Sequence, residues 1–146
     1  MRCDVPCSCW SQKGGCCILA QEKNIDIKNS AVRIIVDGGE PGASIPAIKR
    51  KIEDLWDAKL YDYIGSTEVR AHSFQCIMQE SAVHIIESEF IPEIIDPETG
   101  IQVKEGELGE LVLTNLGRSC SPSIRFRTGD MVKFKKGQCP CGRTFR

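Results

Sequence analysis

The sequence predicts an α/β unit followed by β structure: one βαβ piece, then a small antiparallel β-barrel. Three observations predict it. A β-branched apolar run halts at two glycines. An amphipathic segment follows, and a second apolar run arrives within about 30 residues of the first, the length of a βαβ unit. Beyond it the pattern changes to short alternating runs separated by turn residues. The chain has 146 residues, enough for one modest domain or two small subdomains with a real core. The change of texture sets a boundary at residue 68, with a partial βαβ subdomain over 1–68 and a barrel-like subdomain over 69–146.

The elements follow in order. CILAQEKNIDI (17–27) reads as a helix end running into a loop. AVRIIVDGG (31–39) is apolar on successive residues, as a strand buried on both faces should be. In ASIPAIKRKIEDLW (43–56), Ile45, Ile48, Ile52, Leu55 and Trp56 share one helical face, and Ser44 is the expected N-cap. KLYDYI (59–64) is the returning strand, which the reading ends in a turn at Gly65. VHIIESEFIPEIID, GELVLTNL, SIRFRT and DMVKFKK are then short strands, with DPETG and KEGELG between them as turns.

Composition narrows the function classes. Hydrophobic residues make up 41% and charged residues 27% of the chain, ordinary for a soluble globular protein. A net charge of −1 argues against nucleic-acid binding by bulk electrostatics. No apolar run reaches the roughly 18 residues of a membrane span, and the first residues lack the apolar core of a signal peptide. A cytoplasmic protein is expected. The nine cysteines then read as reduced thiols, some of them metal ligands, rather than as a disulfide frame.

Two turns sit where chemistry belongs. In an open α/β sheet, ligands bind beyond the carboxyl ends of the strands. DGGEP (37–41) and YIGSTE (63–68) are two such ends in one unit. Glycines let backbone approach a ligand, hydroxyls and N–H groups suit phosphate oxygens, and a carboxylate can hold Mg²⁺ against them. By itself GSTE reads first as a tight turn into a short helix, with Ser66 or Thr67 as its cap. A third turn, RTGD (127–130), offers Asp130 to the two hydroxyls of a ribose, and GELGELVLT (106–114) is a glycine-punctuated entry to a strand.

In their order and spacing, GGEP, IGSTE, GELGELVLT, RFRTGD and CPCGR resemble the phenylacetate–CoA ligase family of the adenylate-forming acyl-CoA synthetases. The resemblance runs from about residue 18 to the end. It implies a Rossmann-like adenylate-forming subdomain over the βαβ piece. It implies ATP, Mg²⁺ and CoA as cofactors, and a small carboxylic acid, aryl-acetic by the family, as substrate. Gly39, Glu40 and Pro41 would line the adenine, and Ser66 and Thr67 would touch the α-phosphate. Glu68 would hold Mg²⁺, and Asp130 would grip the ribose. Thr67 and Glu68 would be the catalytic pair, with Gly65 at the close approach. One position departs from the family, which carries an aromatic residue before Gly65. Here Ile64 stands there and Tyr63 precedes it, so the base meets either Ile64 or, after a register shift, Tyr63. The family's phosphate loop, hinge and catalytic lysine are not in the sequence. The expectation is a fragment of a larger enzyme, inactive alone. A deazaflavin-coenzyme adenylylating synthetase is the alternative within the same chemistry.

The same family shows a Cys and a His at the places of Cys76 and His84. With Cys139 and Cys141 these make a four-ligand structural zinc set. The competing reading is small buried thiols. His72 is the rival ligand, and Cys3, Cys7, Cys9, Cys16 and Cys17 are irregularly spaced. The alternative of another class is a non-catalytic, zinc-stabilised binding module in which GSTE and RTGD are only turns.

Overall fold

A computed structural model describes residues 19–39 and 43–144. Strand β1 (Ile34–Asp37), helix α1 (Pro46–Trp56) and strand β2 (Lys59–Ser66) form the βαβ unit. β1 and β2 pair in parallel, from Ile34 against Lys59 to Asp37 against Asp62. Helix α1 lays Ile48, Ile52 and Trp56 against Ile35, Ala43, Ala58 and Leu60. Ser44 is not its cap. Ile45 is the N-cap, in extended backbone and without a side-chain bond, and Pro46 takes the first helical position. A proline pushes the residue before it out of the helical region and is itself pre-shaped for the first turn. That effect moves the start past Ser44 and leaves Ile45 exposed. Asp57, in the left-handed conformation at φ 49°, ends the helix.

β3 (Arg70–Cys76) and β4 (Gln79–Ile85) add antiparallel to β2, giving one sheet in the order β1-β2-β3-β4. The ladder between β2 and β3 joins the chain on either side of residue 68. β2 does not stop at Gly65 but runs through it, with a register shift between Ile64 and Gly65. A Cβ on Gly65 would stand 2.7 Å from both Ala71 Cα and the Arg70 carbonyl oxygen. Glycine here is a requirement of close backbone approach, and the turn that follows closes a β-hairpin.

β5 (Phe90–Ile95), β6 (Gly109–Asn115) and β7 (Phe126–Val132) form a second, three-stranded antiparallel sheet. The expected closed barrel is not formed, and both sheets are open. β5 lies at an edge and carries Pro92, which has no N–H to give to a further strand. The sheets meet through side chains instead. Val69, Ile85, Phe90, Leu111 and Leu113 are buried together, with Ile86, Phe126, Val132 and Phe134 packed against them. SIRFRT and DMVKFKK contribute to one bulged strand, β7, rather than two.

Candidate nucleotide site and metal centre

The parallel register brings the carboxyl ends of β1 and β2 side by side. Tyr63 lies against β1's exit so closely that a Cβ on Gly38 would stand 2.3 Å from Tyr63 Cε1. Gly39 follows with φ +88°, where a Cβ would meet no atom of the described residues within 4 Å. Tyr63 pairs with Phe74 and Ile64 with Ser73 across the hairpin, so the two side chains point to opposite faces of the strand. Both are half-buried. Glu40 and Pro41 lie outside the described residues, as do Cys3, Cys7, Cys9, Cys16 and Cys17.

The turn after β2 is built from its own hydroxyls and from the second sheet. Ser66 Oγ accepts the N–H of Val69 at 3.4 Å. The Ser66 hydroxyl also donates to the Glu68 carboxylate, which with Glu68's own N–H holds that carboxyl below its ordinary value. Ser66, Thr67 and Glu68 are all exposed. The loop between β6 and β7 reaches over to grip the turn. Ser123 Oγ donates to the Glu68 carbonyl at 3.2 Å, and Arg118 Nη1 donates to the same oxygen. Sequence reasoning missed both residues. Arg118 stands in no motif and Ser123 only opens SIRFRTGD, where the reading fell on Asp130; the fold brings them 50 and 55 positions back along the chain.

Asp130 is exposed and sits just past the positive-φ Gly129 (φ +81°). Its N–H is held by Thr128 Oγ1 at 3.1 Å. Its charge opposes the lowering that burial imposes on the pKa of His72 on β3. His72 is no metal ligand here. Its Nδ1 lies 2.7 Å from Ser73 Oγ, and its ring meets Phe90 edge-on.

The metal candidates do converge. One ligand atom from each of Cys76, His84, Cys139 and Cys141 lies within 4.8 Å of all the others. Cys76 Sγ and Cys139 Sγ are 3.4 Å apart, and Cys141 Sγ is 3.3 Å from His84 Nε2. Zinc–sulfur bonds near 2.3 Å place tetrahedral ligands about 3.7 Å apart; the two close pairs suit one ion, and the wider spacings, within 4.8 Å, would contract around it. The surroundings suit thiolates. The Met78 N–H points to Cys76 Sγ at 3.4 Å and Gln79 Nε2 to Cys139 Sγ at 3.3 Å. The Arg143 backbone N–H, above all, pushes the Cys141 thiol down to about 6. None of the four described cysteines is in a disulfide.

The described residues thus carry a hydroxyl-rich turn at a βαβ edge and an Asp-bearing turn on a second sheet. A 2-hydroxyisobutyryl-CoA ligase in an open conformation, in complex with 2-HIB-AMP and CoA, superposes with a TM-score of 0.85 at 28% identity, over 96% of this chain and 33% of that one. Among curated sequences, the phenylacetate-coenzyme A ligase of Thermus thermophilus is 30% identical over 126 residues. That of Pseudomonas putida is 33% identical over 119 residues. By sequence the chain is similar to one segment of these phenylacetate–CoA ligases. It spans 28% and 27% of the length of those two relatives while they cover 85% and 80% of it. No protein-family model matches the chain.

Proposed function

We propose that this chain supplies part of the nucleotide pocket of an AMP-forming acid–CoA ligase. Such an enzyme joins a carboxylic acid to ATP as an acyl-adenylate and then to CoA as a thioester. The observation that carries this reading is the hydroxyl-rich GSTE turn at the βαβ edge, gripped at the Glu68 carbonyl by Ser123 and Arg118 of the β6–β7 loop, which leads into the strand that carries Asp130. Ser66 and Thr67 meet the α-phosphate, and Asp130 accepts the ribose hydroxyls. Gly39, Glu40 and Pro41 border the adenine. Tyr63, rather than Ile64, is the aromatic group on the side of Gly38. Glu68 would hold Mg²⁺, and its depressed carboxyl is ionised at neutral pH, as a cation ligand must be. Mg²⁺ when bound offsets the charge that develops on the phosphates.

The acid is aryl-acetic in this reading, as the names of the sequence relatives suggest. The solved relative acts on a small hydroxy acid, so the test has two arms. The full-length ligase carrying this segment should release AMP from ATP and CoA with phenylacetate and much less with 2-hydroxyisobutyrate. No AMP with either acid would remove the reading. Asp130→Ala should lower kcat/KM for ATP about tenfold or more, since hydrogen bonds to a charged acceptor contribute about 1.5–3 kcal/mol each. Unchanged ATP kinetics would reduce RTGD to a turn. Residues 1–68 and 69–146 remain our division of the chain into two subdomains, joined through the β2–β3 ladder. No helix among the described residues is long and apolar enough to cross a membrane, and a cytoplasmic location belongs to the same reading.

The four-ligand cluster is read as a structural zinc centre. Cys76, His84, Cys139 and Cys141 would saturate a tetrahedral ion and leave no open position for substrate. Its role would be to fasten the C-terminal residues to the β3–β4 hairpin.

A further inference from the structure

The ladder alone does not fix the turn that presents Asp130. Pairing between β6 and β7 shifts register between Glu110 and Val112, opposite a stretch that contains Gly129 at φ +81°. A bulge residue unpaired in the ladder takes its direction from whatever else holds it. Here that is Glu110. Its Oε1 accepts the Gly129 N–H at 3.2 Å. Its Oε2 accepts Arg127 Nε at 2.8 Å and Arg127 Nη2 as well. Arg127 Nη2 in turn donates to the Pro97 carbonyl at 3.0 Å. On the next residue of β6, the Leu111 carbonyl accepts the Thr128 hydroxyl at 3.0 Å, and that same hydroxyl oxygen accepts the Asp130 N–H. Arg127, Thr128, Gly129 and Asp130 are thus tied, one after another, to two adjacent residues of β6.

Glu110 is a costly choice for this position. It is 7% exposed, beside Leu111, Val112 and Leu113, which are at most 4% exposed. Burying a carboxylate is unfavourable unless it is paired, and a buried ion pair adds little stability over apolar residues of similar size. What an apolar side chain could not do is bond both a guanidinium and the bulge N–H. The Arg127 guanidinium holds the Glu110 carboxyl below its ordinary value, so the clamp stays charged at neutral pH. We propose that Glu110 is a positioning residue of the nucleotide site, fixing the RTGD bulge in the conformation that aims the Asp130 carboxylate at the ribose hydroxyls. The proposal rests on the reading of Asp130 given above.

The test compares ATP with 2′,3′-dideoxy-ATP in the full-length ligase. Glu110→Gln should raise KM for ATP about tenfold and leave kcat within about twofold, the pattern of lost ground-state binding. It should cause no further loss with the dideoxy nucleotide, which has no hydroxyls for Asp130 to hold. Asp130→Ala should discriminate the two nucleotides in the same way. If Asp130→Ala discriminates but Glu110→Gln weakens both nucleotides alike, or neither, the positioning role is overturned. If Asp130→Ala does not discriminate, the ribose reading itself has failed. Arg127→Lys, which keeps the charge and loses the two-nitrogen grip, should reproduce the Glu110→Gln pattern and decides the matter if that variant does not fold. Unfolding of both variants would assign the pair to stability alone and also overturn the proposal.

Discussion

His72 is 2% exposed, enclosed between β3 and the second sheet, with Phe90 edge-on to its ring. Burial disfavours the imidazolium and pushes its pKa below the ordinary 6.5, while the Asp130 charge pulls it part of the way back. A folded-state value below the unfolded one means that the unfolded chain takes the proton more readily. The contribution of His72 to stability is therefore complete above pH 6.5 and lost as pH falls from there through the folded-state value. Urea midpoints should drop between pH 7 and pH 5, and His72→Gln should flatten that slope. Asp130→Asn removes the opposing charge and should steepen it. Equal slopes in all three proteins would separate His72 from Asp130. None of this was legible in the sequence, where His72 was only a rival metal ligand. Its environment comes from Phe90 and Asp130, both far along the chain. Cys76 and His84 were singled out because the resembled family carries a Cys and a His at their places, and their side chains do lie near Cys139 and Cys141.

The β2–β3 hairpin shows what local pattern conveys at the scale of an element. Apolar runs located β1, α1 and β2, and the 3.6-residue period found the buried face of α1. The pattern could not report that β2 continues through Gly65, because that depends on how near β3 comes. Gly65→Ala would drive a Cβ into backbone atoms at 2.7 Å, and backbone, unlike a flexible side chain, cannot turn aside. The substitution should cost about 1–3 kcal/mol in denaturant unfolding, as overpacking does. It should also displace the GSTE turn, raising KM for ATP. An Ala variant with wild-type stability would mean the strands separate without cost. Leu60→Ala, in contrast, empties a fully buried position under α1 and should cost about 2–5 kcal/mol. The missed elements have nonlocal causes too. DMVKFKK and SIRFRT looked like two strands because Gly129 separates them, yet a glutamate on β6 joins them across the bulge. Closure of a barrel is a pairing between distant edges that no alternation of residues records.

The described residues form two open sheets that meet across an apolar cluster and through the β6–β7 loop's hydrogen bonds to the Glu68 carbonyl, and beyond β7 they form no further helix or strand. Phe134 of that tail packs on the apolar cluster, and further contacts lie beyond it. Arg143 stacks 5.1 Å from the centre of the Phe74 ring, Lys135 Nζ donates to Gln79 Oε1, and the Gly142 N–H closes a turn onto the Cys139 carbonyl at 3.0 Å. A further attachment is the sulfur cluster, where Cys139 and Cys141 meet Cys76 and His84 from the two strands of the β3–β4 hairpin. Four ligands separated by up to 65 positions in sequence (Cys76 to Cys141) close a long loop when they share an ion, and binding then acts as folding free energy for the part they join. The chain should take up one equivalent of zinc. Removing it with a chelator should open Lys133, Lys135 and Lys136 to trypsin while the βαβ unit, packed around Leu60 and Ile52, keeps its protection. The pH range follows from Cys141. With its thiol already lowered to about 6, its contribution is complete above the ordinary thiol value of 9.0 and is lost as pH falls through about 6. Zinc uptake should accordingly hold at pH 7 and weaken steeply below about 6. Cys139→Ser with Cys141→Ser should abolish uptake and reproduce the trypsin pattern of the metal-free protein at any pH. Full zinc content in that double variant, or a metal-free chain whose tail resists trypsin as well as the loaded one, would detach the metal from the architecture and leave these cysteines as small packed side chains.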